Sequence, residues 1–201
     1  MVENEIRWAA AQCDVIAARL RDLLDPEPEM QMYSQRDPRW RSVEYAGGVT
    51  FGSAGCYVTC VAMIASLAGY TDSPPDVASE LRQAHCFQSA YLNRPDRIPD
   101  AYPDLKWDGV IDWRRRPADL ARLSQELEDG PVIIEVEFRP GGVQPPIDQH
   151  FVIAEAFTSG GGDLMIADPW DGSATRLLER YALSSWELSR AIYGARLLRV
   201  A

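Results

Sequence analysis

Lysine is almost absent from this 201-residue chain: Lys106 is the one lysine among 20 basic residues, and 30 acidic residues outnumber them. A formal net charge of -10, with no cluster of Lys and Arg, excludes a protein that works by neutralising phosphates, because nonspecific nucleic-acid binding needs concentrated positive charge. Long apolar runs are missing too. None reaches the roughly 18 to 20 residues needed to span a bilayer, so no membrane partner is expected. The N-terminus "MVENEIRWAAAQCDVIAARL" carries acidic residues before its apolar stretch and no small-residue cleavage site after it, unlike a signal peptide, so synthesis in the cytoplasm is expected. Cysteine is scarce: Cys13, Cys56, Cys60 and Cys86 are too few and too unevenly spaced for a disulfide scaffold, which predicts free thiols. Histidine is scarcer still, with His85 and His150 alone.

What is present is apolar enough to fold. At 46 % hydrophobic residues the chain can bury a core in one domain with a short appendage. Ile6, Ala10, Cys13, Ala17, Leu20 and Leu24 repeat at the spacing of one helical stripe, and the charged, proline-bearing "DPEPE" then reads as a linker. The chain thus divides into an amphipathic helical arm and linker over 1–30 and a main domain over 31–201. The stripe over residues 3–24 either packs back on the main domain or docks a protein partner or a second copy.

In the main domain, "MYSQRDPRWRSVEYAGG" reads as irregular, and the Gly52 to Gly55 turn leads into a helix over about 55 to 69. "SPPDVASELRQAH" predicts a second helix, with Ser73 to cap it and prolines suited to its first turn. "PADLARLSQELEDG" predicts a third, ended by Gly130. The period then changes: "PVIIEVEF", "QHFVIAEAF" and "DLMIAD" have strand lengths and patterns, with "TSGGG" as a hairpin turn between the last two. Helices followed by antiparallel strands define an α+β class.

The chemistry lies in "TFGSAGCYVTCVAM". A cysteine in the first turn of a helix sits where unsatisfied backbone N–H groups and the helix dipole favour a thiolate. Nucleophilic catalysis by such a group needs a base within hydrogen-bond reach and a third group to orient that base. His85 closes a helix, where a cation suits the negative end of the dipole, and reads as structural. His150 opens a strand, and Asp168 ends the strand paired with it across the hairpin, so the two can lie side by side. Position alone leaves His150 either a base or a satisfied polar group of a strand. Cys60 lies one turn after Cys56 on the same helix face and reads as a small apolar residue, as do Cys13 and Cys86. The set Cys56, Cys60, His85 and Cys86 lacks the spacing of a zinc ribbon or finger.

Taken together, "YSQRDPRW", "GSAGCYVTCVAM", "PVIIEV", "QHFVIAEAF" and "IADPWDG" resemble the C39-like cysteine peptidases, a branch of the papain-like group, over roughly residues 31 to 200. The resemblance implies a papain-like fold in which Cys56 is the nucleophile, His150 the general base and then acid, and Asp168 the residue orienting the imidazole. It implies that Gln35 donates to the oxyanion, although in papain and the transporter-linked members that glutamine stands only a few residues before the cysteine. No metal or organic cofactor is required. The domain with its short arm is similar to those of phage lysins and tail components, which implies peptide bonds, including peptidoglycan crosslinks, as substrate, and virion association or release by lysis. A different reading is a non-catalytic module of a phage tail or other large assembly that keeps the scaffold and docks through its N-terminal helix.

Other motifs carry less. "DPEPE" and "ELED" read as solvated charge rather than a glycosidase pair, and "DPWDGS" lacks the repeated ligands of a calcium loop, its Asp171 and Gly172 suiting a tight turn. "SGGGD" precedes a strand and so does not cradle phosphate. "CFQSAYLNRPDRIPDAYPDLKW" either lines a cleft or packs as an ordinary connection.

Overall fold

The structure, a computed structural model, describes residues 28–89, 91–139 and 149–201. The expected helix over 3–24, Cys13 and most of the "DPEPE" linker lie outside the described residues. At residue 30 the chain already touches the core: Met30 packs against it, and the Gln31 amide donates to Ser66 Oγ at 2.8 Å.

Strands β1 (Glu44–Ala46) and β2 (Val49–Thr50) form a small hairpin across Gly47 and Gly48, both at positive φ as a tight turn requires. The region expected as a turn before the cysteine is instead one helical turn, α1 (Phe51–Ala54), in which Thr50 and Ser53 form a capping box. Gly55 then starts α2 (Cys56–Leu67), a run without a charged residue whose Val58 to Ser66 are all buried. Helix α3 (Pro74–Gln83) begins as expected at Ser73, whose amide donates to Asp76 at 3.2 Å. It ends with His85 at φ 57 and a bond from the Cys86 amide to Leu81 O, a left-handed cap. The aromatic and proline-rich connection forms β3 (Phe87–Gln88), β4 (Tyr91–Leu92) and α4 (Ile98–Ala101).

The remaining strands are β5 (Leu105–Asp112), β6 (Val132–Glu137), β7 (Gln149–Phe157), β8 (Leu164–Asp168), β9 (Ser173–Arg176) and β10 (Ile192–Val200). They form one sheet in the order β5-β10-β6-β7-β8-β9, every pair antiparallel. Helix α5 (Leu120–Glu128), capped by Asp119, precedes β6, and short helices α6 (Leu177–Arg180) and α7 (Leu188–Ala191) precede β10. Alternate residues of the sheet feed two cores. Ile133, Ile153, Ala167 and Leu198 meet α2 and α3, whereas Ile134, Val152, Ile166 and Leu197 meet Leu123 of α5 and Leu177 and Leu178 of α6. The result is a three-layer α+β domain with the sheet in the middle.

One close approach aims the cysteine. A Cβ on Gly55 would lie 2.7 Å from Phe51 O and 2.8 Å from the Phe51 ring, inside contact distance. Only glycine lets α1 fold so tightly onto the start of α2. Gly55→Ala is expected to lower the unfolding free energy by about 1–3 kcal/mol, the usual cost of forcing atoms into a packed site, as read from a urea denaturation midpoint; an unchanged midpoint would show that the turn yields freely.

Candidate active site

Three elements converge on one cleft of about 850 Å³. Cys56 heads α2, His150 stands at the start of β7, and Asp168 is the last residue of β8, beside β7 in the sheet. His150 Nε2 lies 2.9 Å from Asp168 Oδ1, and His150 and Cys56 line the same cleft. Cys56 stays partly exposed on the cleft wall, whereas His150 and Asp168 are buried. Phe138, Trp170 and Tyr181 surround the imidazole with ring centroids 5.6 to 6.1 Å away.

Electrostatics follow from these contacts. Burial alone would discourage the imidazolium, but the hydrogen bonds to Asp168 and Cys56 outweigh it and raise the His150 pKa to about 9. Burial likewise works against the Cys56 thiolate, yet the hydrogen bond and charge of His150, and then the N–H groups of Phe151 and Tyr57, hold its pKa below that of an ordinary thiol. Asp168, despite burial, is held at about 2 by His150, the Trp170 amide and Arg180. Together these favour an imidazolium–thiolate pair. Cys60, one turn deeper, donates to Phe151 O at 3.5 Å, and burial raises its pKa well above the usual value, as befits an inert thiol.

Gln35 reaches this site from far away in sequence. Its amide donates to Pro169 O at 2.6 Å, and Ser34 Oγ donates to Trp170 O at 3.1 Å, so the 34–35 segment docks on the turn that follows Asp168. Gly172, at the positive φ of +74 that favours glycine, lies close against this segment, and a Cβ there would stand 3.3 Å from the Ser34 nitrogen, a tight contact. The intervening loop folds back through Trp40 Nε1 to Ser34 O, 2.8 Å, and the Gly52 amide to Arg41 O, 2.9 Å. Gln35 is 1 % exposed and lines the same cleft as Cys56. Its Nε2 makes long bonds to Phe51 O, 3.3 Å, and Gly52 O, 3.5 Å, while Oε1 has no partner among the described residues.

The structure therefore brings Cys56, His150, Asp168 and Gln35 to one place and leaves His85 on the exposed end of α3. Among the described residues no cluster of three or more His, Cys, Asp or Glu could hold a metal ion. Sequence reasoning missed Arg180 and Tyr181, both bonded to Asp168 Oδ2, because nothing in "ERYALSSW" marks them locally. It missed Phe138 and Trp170 as walls of the His150 side for the same reason. Phe87, Tyr91 and Leu92 also line the cleft, so part of the proline-rich connection does face it, while Ile98 and Tyr102 pack in the core.

A cysteine-headed helix packed against an antiparallel sheet that carries a histidine and an aspartate is the papain-like fold. The Peptidase_C39 like family model matches residues 28–193, and the chain belongs to that family, one of cysteine peptidases. No curated protein matches the chain.

The elevated His150 pKa has a consequence for stability. A group whose pKa rises on folding stabilises the protein fully below its unfolded value and loses that contribution as pH climbs through the folded value. Taken alone, His150 therefore contributes less stability as pH climbs from 6.5 to about 9, but the lowered pKa of Cys56 contributes in the opposite sense, so the pair holds the same number of protons folded and unfolded and the wild-type unfolding free energy is expected to stay nearly flat across that range. Cys56→Ala removes the opposing group and should leave an unfolding free energy that falls with pH across the range, as measured by urea denaturation; equal slopes in both proteins would refute the assignment.

Proposed function

We propose that this protein is a thiol-dependent hydrolase of peptide bonds in which Cys56 attacks the carbonyl carbon. The observation that carries the proposal is the buried His150–Asp168 hydrogen bond beside the partly exposed Cys56, with Cys56 and His150 on the wall of one cleft. The thiolate at the head of α2 forms a bond to the scissile carbonyl carbon, and the carbonyl π electrons move to oxygen. The Cys56 backbone N–H and the Gln35 side chain donate to that oxyanion, Gln35 exchanging its long bonds to Phe51 O and Gly52 O for a shorter charged one. The His150 imidazolium then gives its proton to the leaving amine as the C–N bond breaks. Returned to its neutral form, the same ring takes a proton from water, whose oxygen attacks the thioester and releases the acid. Asp168 stays ionised throughout and holds the ring and its tautomer.

The cleft that receives the substrate peptide in this reading is lined by the apolar side chains of Phe87, Tyr91, Leu92, Phe138 and Trp170. Polypeptides and peptidoglycan crosslink peptides are the two substrate sources to compare. The protein's negative charge works against anionic wall polymers at long range, so purified crosslink peptides are a better probe than intact walls.

The test begins with iodoacetamide alkylation of each cysteine against pH, followed by peptide mass mapping. Cys56 is expected to react fast below neutral pH and to lose that reactivity in His150→Ala; a rate typical of an ordinary thiol would refute the activated pair. Hydrolysis of a peptide library should vanish in Cys56→Ala with folding retained, whereas no hydrolysis by the wild type would favour the non-catalytic module. Gln35→Ala is expected to lower kcat about 10²–10³-fold with KM little changed, the usual effect of losing one oxyanion donor. An unchanged kcat would remove Gln35 from the reaction.

A further inference from the structure

Asp168 has more partners than an orienting carboxylate requires. It is fully buried, and both oxygens are saturated. Oδ1 accepts from His150 Nε2 and from the Trp170 amide, each at 2.9 Å. Oδ2 accepts from Arg180 Nε and from the Tyr181 hydroxyl, each at 2.8 Å. Four donors require an ionised, acceptor-only carboxylate. The Oδ2 pair comes from a different element, the end of α6, and its guanidinium continues outward to Asp171 Oδ2 at 2.6 Å. The carboxylate is thus clamped from behind and its rotation is blocked.

We propose that Arg180 and Tyr181 are positioning residues of the Cys56–His150 site: they fix the plane of the Asp168 carboxylate toward His150, and the Arg180 charge limits how basic His150 becomes. The inference rests on the reading of Cys56 and His150 as an activated pair. With Cys56 as thiolate, His150 as imidazolium and Asp168 as carboxylate, the buried site carries one net negative charge, which Arg180 neutralises. Without Arg180, the imidazolium gains a stronger counter-charge and the thiolate loses a favourable one. Both changes raise the pH at which the corresponding group loses its proton.

Among the described residues, the other charged or titratable groups around His150 are few. Cys56 faces it from the head of α2, with Cys60 one turn further along, Asp168 from β8 and Tyr181 from beyond α6, while Glu137 ends β6 beside it and Arg139, two residues on, lines the same cleft. Arg36 stacks on Trp170 at 3.7 Å from the ring centroid. All of these are unchanged when Arg180 alone is replaced.

The experiment compares Cys56 alkylation rate against pH in the wild-type protein, Arg180→Gln, Arg180→Lys and Tyr181→Phe, with the His150 ring followed by NMR titration. In Arg180→Gln the alkaline limb, where the imidazolium is lost, is expected to move up by about one pH unit, the low end of the effect of a nearby charge. Arg180→Lys should return most of the shift, and Tyr181→Phe should shift the limb the same way by less. A merely structural role would lower thermal stability without moving the limb. If the wild type shows the limb and neither Arg180→Gln nor Tyr181→Phe moves it, the positioning role is overturned while the activated pair stands. If Arg180→Gln does not fold, Tyr181→Phe and Arg180→Lys decide the question by the same criterion. A wild type without the limb overturns both.

Discussion

The hydrogen bond between His150 Nε2 and Asp168 Oδ1, 2.9 Å long and closed to solvent, is the contact on which the rest of the site depends. It joins the beginning of one strand to the end of its neighbour, so it exists only while β7 and β8 keep their register. A slip of one residue would turn either side chain to the opposite face of the sheet. The surrounding contacts guard that register: the Thr158 amide closes the hairpin on Asp163 O at 2.9 Å, and the apolar residues of both strands feed two separate cores.

A burial so complete would be costly for an unpaired charge. The site avoids that cost by placing positive and negative groups in alternation, from the Cys56 sulfur through His150 and Asp168 to Arg180 and finally to half-exposed Asp171. Each member is stabilised by its neighbours, so the pKa shifts of Cys56, His150 and Asp168 are properties of the set rather than of single residues. The aromatic rings around His150 keep water away from it and make those interactions strong.

Charge pairing also explains the least expected strand. β10 carries Arg196 and Arg199, yet it lies inside the sheet between β5 and β6 with only Val200 exposed. Arg196 donates to buried Glu135 of β6 at 2.9 Å, and Arg114 donates to the same carboxylate. Arg199 pairs with Glu126 of α5. Glu137 accepts from Tyr193 at 2.7 Å and from the Arg139 amide at 2.8 Å. Removing one partner from such a buried set leaves an uncompensated charge, which typically costs about 3–5 kcal/mol.

Local patterns were enough to find α2, α3, α5, β6, β7 and β8, because each has a cap, a breaker or a hydrophobic period within its own segment. They also placed Cys56 at a helix start and His150 and Asp168 on strands joined by a short hairpin, which are features of neighbouring sequence, but left the role of His150 open until the family resemblance was added. β5 and β10 were not legible, because their charged residues are neutralised by partners far along the chain and look exposed when read alone. The position of Gln35 was implied only by family resemblance; what seats it beside Cys56 is the docking of residues 34–35 on the turn after Asp168, with Gly172 leaving the space. Arg180 and Tyr181 were invisible for the same reason. Sequence alone therefore determined which residue types could carry the chemistry and which short elements present them. The tertiary structure decided which distant charges meet, because burial and pairing energies depend on neighbours that no local window contains.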